Sequence, residues 1–134
     1  MNFSFLSIYW KFFLKGTQIT ILLSIFAVFF GILLGIVIVL IRRSRILPLR
    51  WLGNVYVEFI RGTPLLAQIY IVYIGIPTLF SGFDFPDMIV GIIALSLNAA
   101  AYISETIRSG IEAVNIGQTE AARSLGMSSR MTMK

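Results

Sequence analysis

Three apolar blocks, separated by short charged or polar runs, organise the chain. The longest, Gly16 to Ile41, holds no charged residue across its twenty-six positions. At about 1.5 Å per helical residue it reaches roughly 39 Å, more than the roughly 30 Å hydrocarbon core of a bilayer. A helix here is expected to tilt or project. It is too long for a signal-peptide core of about 7–15 residues, and no small-x-small cleavage pattern follows, so the segment is read as retained. Ahead of it, Met1 to Lys15 mixes Phe3, Phe5, Leu6, Ile8, Tyr9, Trp10, Phe12 and Phe13 with Lys11 and Lys15. That mixture predicts a helix lying in the membrane interface. Trp51 to Arg61 predicts a short amphipathic helix re-entering the membrane. Gly62 to Phe83 is again uncharged, with Pro64 near its start and Pro77 near its end. Ser81 to Asp87, with Gly82, Asp84 and Pro86, reads as a turn. Met88 to Ser104 is the third block; its seventeen residues span about 26 Å, the short limit for a crossing. It is expected to borrow Glu105 and Arg108 at the interface. The pattern predicts an all-α polytopic membrane protein with three spans, near 16–41, 62–83 and 88–107.

Composition agrees with that pattern. Hydrophobic residues make up 57% of the chain and charged residues 13%, against about 25% charged in an ordinary soluble domain. The mean hydropathy is +0.89. Cys and His are both absent, which excludes disulfides, thiolate chemistry and the common zinc sites. No G-x-x-x-x-G-K-[ST] loop is present, so ATP is not expected to bind here by that route, and no cofactor or metal is expected. The net charge of +5 does not indicate nucleic acid, because the Arg residues stand at the ends of apolar blocks.

The same charges set an orientation. Arg42 to Arg61 holds five basic residues and Arg108 to Lys134 holds four, whereas the other side holds Lys11 and Lys15 alone. The asymmetry predicts an outside N-terminus and a cytoplasmic C-terminus. Each Arg forced to mid-membrane would cost about 2.5–3.5 kcal/mol.

Polar residues within and beside the blocks are the candidates for chemistry. Gly31 and Gly35 form G-x-x-x-G, either a close-packing face or the glycine content usual in such helices. Arg61-Gly62-Thr63-Pro64-Leu65-Leu66-Ala67-Gln68 bends the chain into the second span. Thr63, Gln68 and Asn98, the last with Ser96 nearby, are candidates for a solute path. Interhelical hydrogen bonding is the competing reading for the two amides. Glu105 and Arg108 are spaced i,i+3, either as a plain interfacial pair or as a brace for the segment that follows. Gly117-Gln118-Thr119-Glu120-Ala121-Ala122-Arg123-Ser124-Leu125-Gly126 predicts a short helix from Thr119 to Leu125. Thr119 is its expected N-cap, Glu120 lies in its first turn, and Gly126 is a left-handed C-cap.

Three of these strings, in this order, resemble the permease subunits of binding-protein-dependent type I ABC importers for polar amino acids. They are R-G-T-P-L-L-x-Q, A-Y-x-x-E-x-x-R-x-G from Ala101 to Gly110, and E-A-A-x-x-x-G from Glu120 to Gly126. Gly16-x-x-x-Thr20 fits as well, so the resemblance runs from about Gly16 to Gly126. It implies a non-enzymatic transport subunit of a bacterial inner membrane, with ATP hydrolysis assigned to partner ATPase subunits. It implies a cytoplasmic coupling loop, about 110–126, carried by Gly117, Gln118, Glu120, Ala121, Ala122 and Gly126. A second permease copy or paralogue and an extracytoplasmic substrate-binding protein complete the implied partners. Asn115 and Ile116 depart from the family's usual Pro and basic residue. The family continues with I-x-L-P and two more spans, so the chain is expected to be an N-terminal part of a transmembrane domain. A membrane anchor or assembly subunit, or an inactive remnant, is the alternative.

Overall fold

The computed structural model describes residues 4–79 and 86–132, and every regular element among them is helical. The helices are α1 (Ser4–Arg42), α2 (Leu47–Gly62), α3 (Leu65–Leu79), α4 (Asp87–Glu112), α5 (Ile116–Ser124) and α6 (Ser129–Thr132). α1 and α4 are each long and apolar enough to cross a membrane. α2 and α3 supply a third crossing if the pair, bent by 112°, is counted as one broken span.

α1 corrects the expectation of a separate interfacial helix before Gly16. The helix continues through Lys11, Lys15 and Gly16 over 39 residues, about 58 Å, so it projects well beyond the hydrocarbon. No proline interrupts it, and Gly16 has open space around it. Its exposed hydroxyls are satisfied within the helix: Thr17, Thr20 and Ser24 donate to the carbonyls of Phe13, Gly16 and Thr20 at 2.8–2.9 Å. This is how a polar side chain can face lipid without an orphan donor.

The core is a seam of small residues between α1 and α4. Ala27, Gly31, Gly35 and Val39 recur every fourth residue on α1 and are all buried. They pack against α4, where Gly31 and Gly35 face Ala99, Ala100 and Ile103. A Cβ at Gly31 would lie 2.7 Å from the Ala99 Cβ, and one at Gly35 would lie 2.9 Å from the Ile103 Cγ2. The expected G-x-x-x-G face is therefore real, and its partner is α4. Small residues let the two backbones approach, and packing and dispersion replace the hydrophobic drive that lipid removes.

α2 carries Pro48 in its first turn and packs through Gly53, Val57 and Ile60, an i, i+4, i+7 stripe. It starts earlier than Trp51, because the proline pre-sets helical φ at the N-terminus. Thr63, the residue before Pro64, is extended (φ −115°, ψ 147°), as a pre-proline residue must usually be. The second apolar block therefore starts its helix at Leu65, not Gly62. Its expected end at Phe83, and most of the turn from Ser81 to Asp87, lie outside the described residues. The Tyr73 hydroxyl donates to Asp87 Oδ1 at 2.6 Å, joining α3 to the first turn of α4.

α4 is longer than the block Met88–Ser104, and longer than the 88–107 span: it runs to Glu112 and takes in Gly110, which the sequence places in a loop. The link to α5 is only 113–115. The N-cap of α5 is Asn115, whose Oδ1 accepts from the Gly117 N–H at 2.9 Å. Thr119 is therefore interior to the helix, and Glu120 stands past the first turn. An earlier cap captured the helix, since Asn is among the best N-caps. The C-terminal expectation is met: Gly126 has φ +78°. Its N–H bonds the Arg123 carbonyl at 2.9 Å, and the Met127 N–H bonds that of Ala122 at 3.1 Å, a Schellman ending.

Gly35→Val should loosen the α1–α4 seam. Its branched side chain must displace Ile103, and its Cβ would press on the Ala100 carbonyl oxygen at 3.2 Å, at a cost of about 1–3 kcal/mol. Thermal unfolding in detergent should show a lower midpoint for Gly35→Val, while Gly16→Val, with open space around it, stays close to the parent.

Candidate functional site

Glu105 gathers cations from three helices. The guanidinium of Arg42, at the end of α1, donates from Nη1 to Glu105 Oε2 at 2.8 Å. Arg61, in the last turn of α2, places Nη1 3.5 Å from Oε1. Arg108, one turn along α4, donates through Nε to Oε2 at 3.1 Å and through Nη2 to Oε1. It also pairs with Glu112. The Arg42 and Glu105 side chains are only 11% and 18% exposed, so the centre of the knot is largely withdrawn from solvent while Arg61 and Arg108 reach out to it. Arg42 Nε also donates to Asn54 Oδ1 at 2.8 Å, and Arg61 lies 5.9 Å from the centre of the Tyr102 ring, within cation–π range.

The expected i,i+3 pair between Glu105 and Arg108 is present, and it is the largest single part of a structure that reaches beyond α4. Sequence reasoning misses Arg42, Arg61 and Asn54 as its partners. Their charges read as topology signals at helix ends, and no local spacing relates Arg42 to a residue 63 positions away.

The three residues expected to line a solute path also come together. Gln68, 6% exposed, donates through Nε2 to the Ile60 carbonyl at 2.7 Å and to the Thr63 hydroxyl at 2.8 Å, with the Thr63 carbonyl at 3.0 Å. Asn98 donates to Gln68 Oε1 at 2.9 Å. Gln68 thus closes over the α2–α3 break, satisfying carbonyls that the bend exposes. The interhelical hydrogen bond is the arrangement found, and the Gln68 amide has no free donor for a solute. Asn98 Oδ1 has no partner among the described residues. A further bond, from the Tyr56 hydroxyl to the Leu97 carbonyl at 2.6 Å, pins α2 to α4 beside this network. The Ser96 hydroxyl is buried without a partner among the described residues.

The segment from Gly117 to Gly126 contributes no buried residue. Gln118, Glu120 and Ala121 are exposed, Ala122 is partly covered, and Leu125 is 83% exposed. The helix stands off the bundle, joined to α4 by a short link and closed at both ends by its own caps.

The family described as "Binding-protein-dependent transport system inner membrane component" matches residues 27–134. The arginine transport system permease protein ArtQ of Bacillus subtilis is 43% identical over 123 residues, covering 92% of this chain and 56% of ArtQ. The L-cystine transport system permease protein TcyB of the same species is 41% identical over 126 residues, covering 93% of this chain and 53% of TcyB. A putative glutamine transport system permease protein of Rickettsia bellii is 42% identical over 123 residues, covering 92% and 56%. A crystal structure of an amino acid ABC transporter with histidines matches all of this chain and 63% of its own, with a TM-score of 0.88 and 43% identity. The chain spans a little over half the length of these curated relatives.

Glu105→Gln should destabilise the bundle by about 2–3 kcal/mol, below the ~3–5 kcal/mol of a fully enclosed pair because water still reaches this one. It strips Arg42 of its counter-charge. Adding Arg42→Gln should cost less than the sum of the two single changes. Glu112→Gln, which loses an exposed pair, should cost under about 1 kcal/mol. Denaturation of the purified variants in mild detergent measures all four proteins, and additivity of the double mutant would remove the knot.

Proposed function

The chain belongs to the family of binding-protein-dependent transport system inner membrane components, and from that membership we propose that it is part of the permease subunit of an ATP-driven importer of polar amino acids. The observation that carries the reading is the capped, unburied α5 directly beyond the long helix α4, on a chain whose relatives are named as arginine, cystine and glutamine permease proteins. In this reading the membrane path is built with a second copy or paralogue. A binding protein delivers the solute from outside, and separate subunits hydrolyse ATP.

α5 is the docking element for the ATPase. Glu120 offers a carboxylate, Ala121 and Ala122 permit close seating, and Gly126 fixes the exit of the helix. Movement of α5 reaches the spans through α4, because the link at 113–115 is short and Arg108 and Glu105 tie the lower end of α4 to α1 and α2. Asn98, whose oxygen is unengaged among the described residues beside the α2–α3 bend, is the group best placed to meet a solute. Thr63 and Gln68 hold that bend and position Asn98. The basic surplus on the side of Arg42 and Arg108 makes that side cytoplasmic.

Two experiments test this. Ser44→Cys and Lys15→Cys flank the uncharged run of α1 on opposite sides; on intact cells an impermeant thiol reagent should label the second and spare the first. The reverse pattern inverts the orientation. Glu120→Lys should lower retention of the co-expressed ATPase on purification roughly tenfold, the ~1.5 kcal/mol at the low end of measured interfacial charge pairs. Glu112→Gln should retain it. Full retention by Glu120→Lys rules out α5 as the docking element.

A further inference from the structure

The corner between α1 and α2 carries more positive charge than its ion pairs neutralise. Arg42, Arg43, Arg61 and Arg108 stand beside two carboxylates, Glu105 and Glu112. The side chains of Arg43, Arg45 and Arg50 make no ion pair among the described residues. A cavity of about 130 Å³ opens at this place, lined by Arg42, Arg43, Asn54 and Arg108, with Val39 and Ile111 as its apolar part and Glu112 as its acid. Asn54 Oδ1 accepts from Arg42 Nε, and its amide N–H groups have no acceptor among the described residues.

Asn54 also borders a second groove, of about 420 Å³, lined by Leu47, Pro48, Arg50 and Trp51. Leu47 is 68% exposed and Trp51 64% exposed. A cationic cavity therefore adjoins an apolar groove with an indole at its side, at the membrane edge of α1. Trp is the residue that best suits the headgroup level, and basic pockets between spans suit acidic headgroups. A free phosphate would fill the cavity and leave the groove bare. A molecule with an anionic head and an apolar tail fills both.

We propose that this corner binds an anionic phospholipid, with its phosphodiester among Arg42, Arg43, Asn54 and Arg108 and its upper acyl chain along Leu47 and Trp51. The site draws on the placement of the corner at a membrane edge and not on the transport reading, and its test reads binding alone. Arg43 is the residue to change, because it is exposed and outside the Glu105 knot, so its loss leaves the fold intact.

The protein is purified in mild detergent with added phosphatidylglycerol or phosphatidylcholine, and the retained lipid is counted by native mass spectrometry. Phosphatidylglycerol should be retained over phosphatidylcholine, and millimolar inorganic phosphate should not displace it. Arg43→Gln should lower its occupancy about fivefold, the effect of one cation at an acidic lipid surface. Trp51→Ala should lower it as well, and Lys15→Gln, at the other end of the uncharged run of α1, should not. Equal retention of phosphatidylcholine, equal loss in Lys15→Gln, or displacement by inorganic phosphate overturns the proposal. So does an Arg43→Gln variant that keeps its lipid and loses a co-expressed ATPase, since the corner would then be a protein-docking surface.

Discussion

A carboxylate at the edge of a membrane must be matched by cations, and Glu105 is matched from three directions. Its side chain is only 18% exposed, so the desolvation cost is offset only if the guanidinium groups arrive in good geometry. Arg42 can arrive only if α1 ends at that level, and Arg61 only if α2 ends there too. Arg108 follows from the pitch of α4. One partly buried acid thus fixes the relative height of three helices, and sliding α1 by a single residue would separate Arg42 from Glu105 by about 1.5 Å. The glycine seam allows the helices to approach, whereas the ion knot sets their register. Close packing of small residues is tolerant of sliding, and charge pairing is not.

The fold is legible in the sequence where it depends on long apolar runs. The α1 and α4 spans, the bend at Thr63–Pro64 and the left-handed Gly126 all follow from local chemistry: apolar length, a proline's constraint on its predecessor, and a glycine at the end of a helix. The differences lie at boundaries. The lysines at 11 and 15 suggest a break before Gly16, but a charge does not interrupt a helix. It only moves the helix out of the hydrocarbon. Thr119 resembles an N-cap because it precedes Glu120, yet Asn115 caps the same helix four residues earlier. Either residue satisfies the cap pattern, and hydrogen bonding with the Gly117 N–H decides between them.

The candidate site is legible in its members and not in its connections. Gln68 and Asn98 stand out as amides inside apolar blocks, and they do meet, 30 residues apart in sequence. Sequence alone does not say whether they face each other or a solute. The structure gives Gln68 three acceptors around the α2–α3 bend, because an opened helix exposes carbonyls that cannot be left bare in lipid. The same logic explains why Arg42 and Arg61 carry only a topology signal in the sequence. An arginine at a helix end is explained twice over, by membrane orientation and by the helix dipole, so nothing there calls for a third role.

α5 is held by a different balance, since its nine residues bury nothing. Isolated helices shorter than about 12–15 residues are marginal in water, and most protein helices are held by an apolar face against a core. α5 has neither length nor core. It has an Asn cap, a Schellman ending and a Ser124 hydroxyl bonded back to the Glu120 carbonyl. Caps of this kind contribute on the order of 1 kcal/mol each, enough to bias the segment towards helix and not enough to make it rigid. A helix so biased loses little entropy when a second surface covers it. Its exposed Leu125 and Ile116 then supply the apolar contacts that its own bundle does not. In the proposed docking, the local sequence builds the shape before any contact is made, on the end of the helix that Glu105 holds in register with the rest of the bundle.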